Sequence, residues 1–132
     1  MKYLFDSSAI FKALKENKVE VLVGNCTLEL ARYELGNVLW KSLAFEGKAT
    51  SAEIKSLAKI VKRVLDVMDV LQIGCSEEEI LEIANKTKIT FYDAAYAYHA
   101  MAKNLTLITE DAQLLKKITL KINASTLSDI TR

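Results

Sequence analysis

Four acidic side chains, Asp6, Glu34, Asp93 and Asp111, share one kind of address along the chain: each stands where a helix begins. Three of them follow or lie close to short apolar runs that read as strands. Carboxylates gathered at the strand ends of a parallel sheet make a site for a hard divalent cation, and such a site suits hydrolysis of a phosphodiester. Two carboxylates ~4–5 Å apart repel by roughly 3–4 kcal/mol at an effective dielectric near 20. Four in one place must hold their protons or recruit a cation. Helix N-termini offset part of the repulsion, by about 0.3–1 kcal/mol each. With no His or Cys among the four, oxygen-preferring Mg2+ or Mn2+ is favoured over zinc.

The chain that must position these acids has 132 residues, 51% hydrophobic and 27% charged. That is the make-up of one globular domain spanning 1–132. No apolar run approaches the ~20 residues that cross a bilayer, and the opening MKYLFDSS has too short an apolar stretch for a signal peptide. A cytoplasmic protein is expected. Cys26 and Cys75 lack any metal-binding spacing and are expected as free thiols. A net charge of +1 neither marks nor excludes a nucleic-acid partner, because an acidic pocket and a basic rim cancel in the sum.

Short apolar runs alternate with longer amphipathic ones. Strands are expected at residues 2–5, 26–30, 67–73, 105–108 and 119–123, with 18–23 open between helix and strand. Helices are expected at 8–15, with Ser7 or Ser8 near the N-cap, and at 31–46, with Gly47 as C-cap. In the latter, Leu35, Val38, Leu39, Ser42 and Leu43 share a face. A third helix, 51–66, carries Ile54, Leu57, Ala58, Val61 and Leu65 on one apolar face. A fourth starts after Ser76, with Glu79 completing a capping box, and runs to about Lys86. Residues 92–103, entered through Asp93, and 111–117 complete the set. Strands separated by helices imply parallel pairing with right-handed crossovers, hence a three-layer α/β/α sandwich. In such sheets ligands bind outside the carboxyl ends of the strands, so all four acids can converge on one edge.

The local motifs are distinctive as well. Leu4-Phe5-Asp6-Ser7-Ser8 resembles the opening motif of PIN-domain nucleases. Tyr33-Glu34-Leu35-Gly36-Asn37 resembles their second, Glu-x-x-Asn. Phe91-Tyr92-Asp93-Ala94 resembles their third, and Leu107-Ile108-Thr109-Glu110-Asp111 their fourth. Order and spacing fit over essentially the whole chain, and the size is similar to that of VapC-type toxins of toxin–antitoxin pairs. The resemblance implies a five-stranded parallel sheet and a Mg2+- or Mn2+-dependent endoribonuclease. On that reading Asp6, Glu34, Asp93 and Asp111 are both the metal ligands and the catalytic set. It further implies an RNA substrate, a cognate antitoxin protein and a homodimer. The competing reading is a non-catalytic PIN scaffold that binds RNA or protein. An aspartyl-phosphate phosphatase fits less well, because Asp6-Ser7-Ser8 lacks the second acid of Asp-x-Asp.

Around the acids, the hydroxyls of Ser8 and Thr109 are placed to orient a carboxylate or a bound water. Asn37, three residues beyond Glu34, shares its helical face and can hold Glu34 or contact phosphate. Lys55, Lys59 and Lys62 line one side of helix 51–66 and are candidates for RNA phosphates. The rings of Tyr92, Tyr96 and Tyr98 can stack on bases, although Tyr96 and His99 have the spacing of a face packed on the sheet. His99, the single histidine, is expected to pack rather than act as a base. Trp40 suits a core or a partner surface equally.

Overall fold

The computed structural model describes residues 2–47, 49–119 and 121–131, with only the backbone at 45 and 46. Its frame is five short parallel strands: β1 (Tyr3–Phe5), β2 (Cys26–Leu28), β3 (Asp69–Leu71), β4 (Thr106–Ile108) and β5 (Ala124–Ser125), in the order β3-β2-β1-β4-β5. Successive side chains of a strand face opposite sides, and the register uses this alternation. Leu4 pairs with Cys26 and Leu107, and all three are fully buried on one face. Phe5 pairs with Ile108, and both are buried on the other.

Helices cover both faces. The Phe5 side carries α1 (Ser7–Lys15), α2 (Leu30–Lys41), α3 (Ser51–Val67) and α7 (Leu127–Ile130). The Leu4 side carries α4 (Glu77–Thr87), α5 (Phe91–Ala102) and α6 (Ala112–Ile118). This is the three-layer sandwich with a five-stranded parallel sheet. The open segment 18–23 contains a single 3-10 turn, Val19–Val21.

Several boundaries differ from expectation for local reasons. Asp6, rather than Ser7 or Ser8, caps α1, because its carboxylate takes the Ala9 N–H. Thr90, rather than Asp93, caps α5. Ser76 precedes α4 without capping it: its backbone is not extended, and its hydroxyl donates to Tyr98 Oη at 3.3 Å. The expected face of 31–46 holds through Leu35 and Leu39, but Leu43 is exposed, because Ser42–Glu46 winds as a π turn and rotates Leu43 and Ala44 off the core. In α3 burial is concentrated at Val61, Val64 and Leu65, while Leu57 and Ala58 are exposed.

The last strand lies at Ala124–Ser125 rather than at 119–123, of which position 120 falls outside the described residues. The N–H groups of Lys121 and Ile122 both bond to Ile118 O at 3.0 Å. The segment therefore finishes α6, satisfying a terminal helix carbonyl, and only then enters the sheet.

α3 has a full capping box: Thr50 Oγ1 accepts the Glu53 N–H at 3.2 Å, and Glu53 Oε1 accepts the Thr50 N–H at 3.4 Å. Thr50→Ala should cost about 1 kcal/mol, a fall in melting temperature of roughly 3–6 °C for a chain this size. An unchanged thermal denaturation midpoint would refute the capping role.

Candidate active site

Asp6 sits one residue past β1, and its backbone N–H still bonds to Ile108 O at 3.0 Å. The sheet therefore fixes its position before the side chain does. The carboxylate is 6% exposed. Its Oδ1 accepts from Ser8 Oγ at 2.6 Å and from Ala9 N at 3.0 Å. The Ser8 hydroxyl also accepts the Glu110 N–H at 3.0 Å and lies 3.4 Å from Thr109 Oγ1. Thr109 Oγ1 in turn takes the Asp111 N–H at 3.1 Å. Ser8 and Thr109 thus join the ends of β1 and β4 around Asp6.

Burial raises the Asp6 pKa to about 6, against the downward pull of hydrogen bonds from Ser8, Thr109 and Ala9; nearby Glu34 pushes it up a little further. Desolvation disfavours the charged form of a carboxylate, and here it outweighs the donors.

Glu34 lies on the second turn of α2 and is half-buried. Tyr96 Oη donates to its Oε1 at 2.8 Å, tying α5 to α2. Burial raises the Glu34 pKa, the bonds from Tyr96 and Ser7 lower it, and Asp93 raises it again. Tyr96 is 1% exposed, and its burial beside Glu34 holds its hydroxyl firmly protonated. Asp93 is the third residue of α5, with its N–H bonded to Thr90 Oγ1 at 3.0 Å. Burial and then Asp111 raise its pKa, while Thr90 and Lys117 lower it. Asp111 caps α6, accepting the N–H groups of Gln113 and Leu114 at 3.0 and 3.1 Å.

These couplings string the acids into a row, Asp6–Glu34–Asp93–Asp111, in which each neighbouring pair interacts. Asp93 and Asp111 line one cleft of about 200 Å³ with Thr90 and Lys117. Glu34 lines another of about 220 Å³ with Asn37, Tyr33 and Tyr92. Among the described residues no group of three or more His, Cys, Asp or Glu side chains is arranged so as to hold a metal ion by itself. The donor set is all oxygen, the kind that hard divalent cations take. The raised proton affinities say that burial, and to a lesser degree the neighbouring acids, disfavour negative charge here.

The remaining candidates fall into place around this row. Asn37 is exposed in the wall beside Glu34, while the bonds to Glu34 come from Tyr96 and Ser7. Lys55, Lys59 and Lys62 are exposed on α3; Lys62 pairs with Asp66 at 3.0 Å. Glu110 turns away from the row to pair with Lys12 at 3.0 Å and to accept the Leu127 N–H at 2.8 Å. His99 is buried, its ring nitrogens 2.7 Å from Ala95 O and 3.1 Å from Gln72 O, the packing role expected of it. Trp40 is 51% exposed.

Tyr96 reads in sequence only as a stacking or packing ring and Lys117 does not stand out, yet one bonds to Glu34 and the other lines the cleft of Asp93 and Asp111. Tyr96 carried a usable signal, since three residues past Asp93 puts it on the same side of α5. Lys117, six residues past Asp111, carried none.

The chain order reverses at β1, with β2 and β3 to one side and β4 and β5 to the other. Ligands of open parallel sheets bind at this switch point, and Asp6 and Thr109 stand there. The fold and site define an α/β protein with an acidic centre at its topological switch point. Residues 3–119 match the PIN domain, and the chain belongs to the PIN domain family. It is 33% identical over 129 residues to Exonuclease VapC9 of Pyrobaculum aerophilum, covering 96% of this chain and 93% of that protein. Its fold superposes on the crystal structure of PAE2754 from Pyrobaculum aerophilum with a TM-score of 0.81 at 29% identity, covering 98% and 91% of the two chains. DNA-bound VapBC from Salmonella typhimurium shares the fold, with a TM-score of 0.70 at 16% identity over 96% and 98%.

Proposed function

We propose that this protein is a divalent-metal-dependent ribonuclease, the toxin of a toxin–antitoxin pair, that cuts RNA internally. The observation that carries this reading is the row of four carboxylates at the switch point, three of them with proton affinity raised by burial and by one another. Asp6, Glu34, Asp93 and Asp111 would hold the metal, Mg2+ or Mn2+, partly through water. When bound, such an ion supplies charge neutralisation at the phosphate and eases ionisation of water at neutral pH.

The chain's own groups do the rest. Ser8, with Ala9 N–H, fixes the Asp6 carboxylate, and Thr109 fixes the loop that carries Asp111. Tyr96 fixes Glu34. Such supporting bonds are worth about 10–100-fold in metal affinity or activity. Lys117 faces the same cleft as Asp93 and Asp111 and offers a cation to a phosphate oxygen. Asn37 is available to phosphate, and Lys55, Lys59 and Lys62 extend a basic flank to the RNA backbone.

An antitoxin partner is supported by relatives solved as VapBC assemblies. A homodimer and a cytoplasmic location belong to the same reading; no helix among the described residues is long and apolar enough to cross a membrane.

RNA cleavage should require Mg2+ or Mn2+, stop in EDTA, and fall on the order of 100-fold in Glu34→Gln and in Asp93→Asn, the loss of about 3 kcal/mol of transition-state stabilisation. Metal-independent cutting, or full activity in both variants, would sink the proposal. Retained RNA binding with neither metal binding nor cutting would instead establish a scaffold. The name of the Pyrobaculum relative, Exonuclease VapC9, favours a second reading, an exonuclease. A circular RNA has no ends, so its linearisation selects internal cutting and its survival beside a degraded linear RNA selects the exonuclease.

A further inference from the structure

Two exposed tyrosines each stand one residue before an acid of the row. Tyr33 precedes Glu34 on α2 and is 72% exposed; Tyr92 precedes Asp93 on α5 and is 59% exposed. Successive helical residues point about 100° apart, so each acid is half-buried toward the row while its tyrosine stands to the outer side. Both rings line one cleft of about 220 Å³, with Leu30 as its apolar wall and Glu34 and Asn37 as its polar one. That cleft shares Leu30 and Tyr92 with a second, apolar cavity of about 210 Å³ that reaches Phe91 and Ile73.

The lining excludes phosphate as occupant. Neither cavity is lined by Lys or Arg among the described residues, and Glu34 repels an anion. The Arg nearest in sequence, Arg32, is held at 2.7 Å by Glu29. What fits is a neutral, flat group with a π face and an edge that both donates and accepts hydrogen bonds. Asn37 offers both kinds of group to such an edge, and a carboxylate accepts from an exocyclic amine. Glu34 belongs to the cleft and to the acid row alike, so an occupant lies beside a phosphodiester held at that row.

We infer that the Tyr33–Tyr92 cleft is a base-stacking subsite for the unpaired nucleotide next to the scissile phosphate. The inference rests on the ribonuclease reading of the acid row. Stacking on exposed aromatic rings is how single strands are held without a basic groove at every base. The subsite therefore selects single-stranded or splayed RNA, since a base stacked and paired within a duplex cannot lay its face on a side-chain ring.

Fluorescence anisotropy of a labelled short oligocytidylate, in EDTA and again with Ca2+, tests this on the full chain. Tyr33→Ala and Tyr92→Ala should each weaken binding by roughly 5- to 100-fold, whereas Tyr33→Phe and Tyr92→Phe should bind as wild type does. In a series of oligonucleotides with one abasic nucleotide, one position should erase the difference between wild type and the alanine variants. Wild-type affinity in both alanine variants overturns the inference, as does an equal loss across the whole abasic series. So does unchanged RNA affinity coupled to lost binding of a partner protein, which would make the tyrosines a protein-docking surface. The two readings fail separately. The stacking signature in a protein that cuts nothing removes the nuclease and keeps the subsite; metal-dependent cutting with indifferent tyrosine variants does the reverse.

Discussion

Asp6→Asn should lower metal-dependent RNA cleavage by at least on the order of 100-fold while leaving the fold intact. The two halves of this expectation come from different atoms of one side chain. Oδ1 does structural work, accepting from Ser8 Oγ and Ala9 N, and an asparagine oxygen can do the same; Asn and Asp cap helices about equally well. What Asn lacks is the negative charge. The circular dichroism spectrum of Asp6→Asn should therefore match wild type and its unfolding should stay cooperative, and calorimetric titration with Mn2+ should show weakened binding. Cleavage within about tenfold of wild type, with metal binding kept, would mean that the charge at Asp6 is not what the chemistry uses.

The fold was legible in the sequence wherever burial has a period. Residues 2–5 and 105–108 read as strands, and they became β1 and β4 because Leu4, Phe5, Leu107 and Ile108 are covered on both faces. Legibility failed where a single hydrogen bond decides the outcome. Nothing in the spacing of Ser76 and Glu79 tells that Tyr98, more than twenty residues on, holds the Ser76 hydroxyl. Ile122 looks like part of a strand, yet its N–H turns back to Ile118 O, because the terminal carbonyls of α6 need partners.

The acids were legible for another reason. Each stands at a junction of strand or cap with helix, and such junctions have sequence signatures. How the acids interact was not legible. The links from Asp6 to Glu34 and from Glu34 to Asp93 depend on α2 and α5 meeting over the switch point, and Tyr96, which locks that meeting, reads in sequence as one more core aromatic. The same limit applies to Lys117, whose place beside Asp93 and Asp111 depends on how α6 leaves β4.

In the absence of metal, stability at neutral pH should be lower than at mild acid as far as Asp6 is concerned, and Asp6→Asn should remove that penalty. The folded pKa of Asp6 is about 6, against an ordinary value of 3.8. Between those limits the folded state binds more protons than the unfolded one, so its stability falls as pH rises. The contribution is fully present below pH ~4, is lost as pH passes ~6, and amounts to about 3 kcal/mol for one group so buried. Glu34 and Asp93, also raised, act with the same sign.

The other carboxylates of the chain titrate in both proteins, so the difference between Asp6→Asn and wild type isolates the site. In EDTA the variant should equal wild type near pH 4 and exceed it by up to about 3 kcal/mol above pH 7, measured by guanidinium unfolding across the range. Adding Mn2+ at pH 7.5 should raise wild-type stability by about 3 kcal/mol at 100 times the dissociation constant and raise that of Asp6→Asn much less. A difference that stays flat with pH would show that Asp6 ionises as freely in the folded chain as in the unfolded one. The site would then be an ordinary solvated cap, and the metal would have no unpaired charge to answer. If the difference grows as expected, the acid row is unstable without its ion, and the stability given up at neutral pH is what makes the site bind a cation.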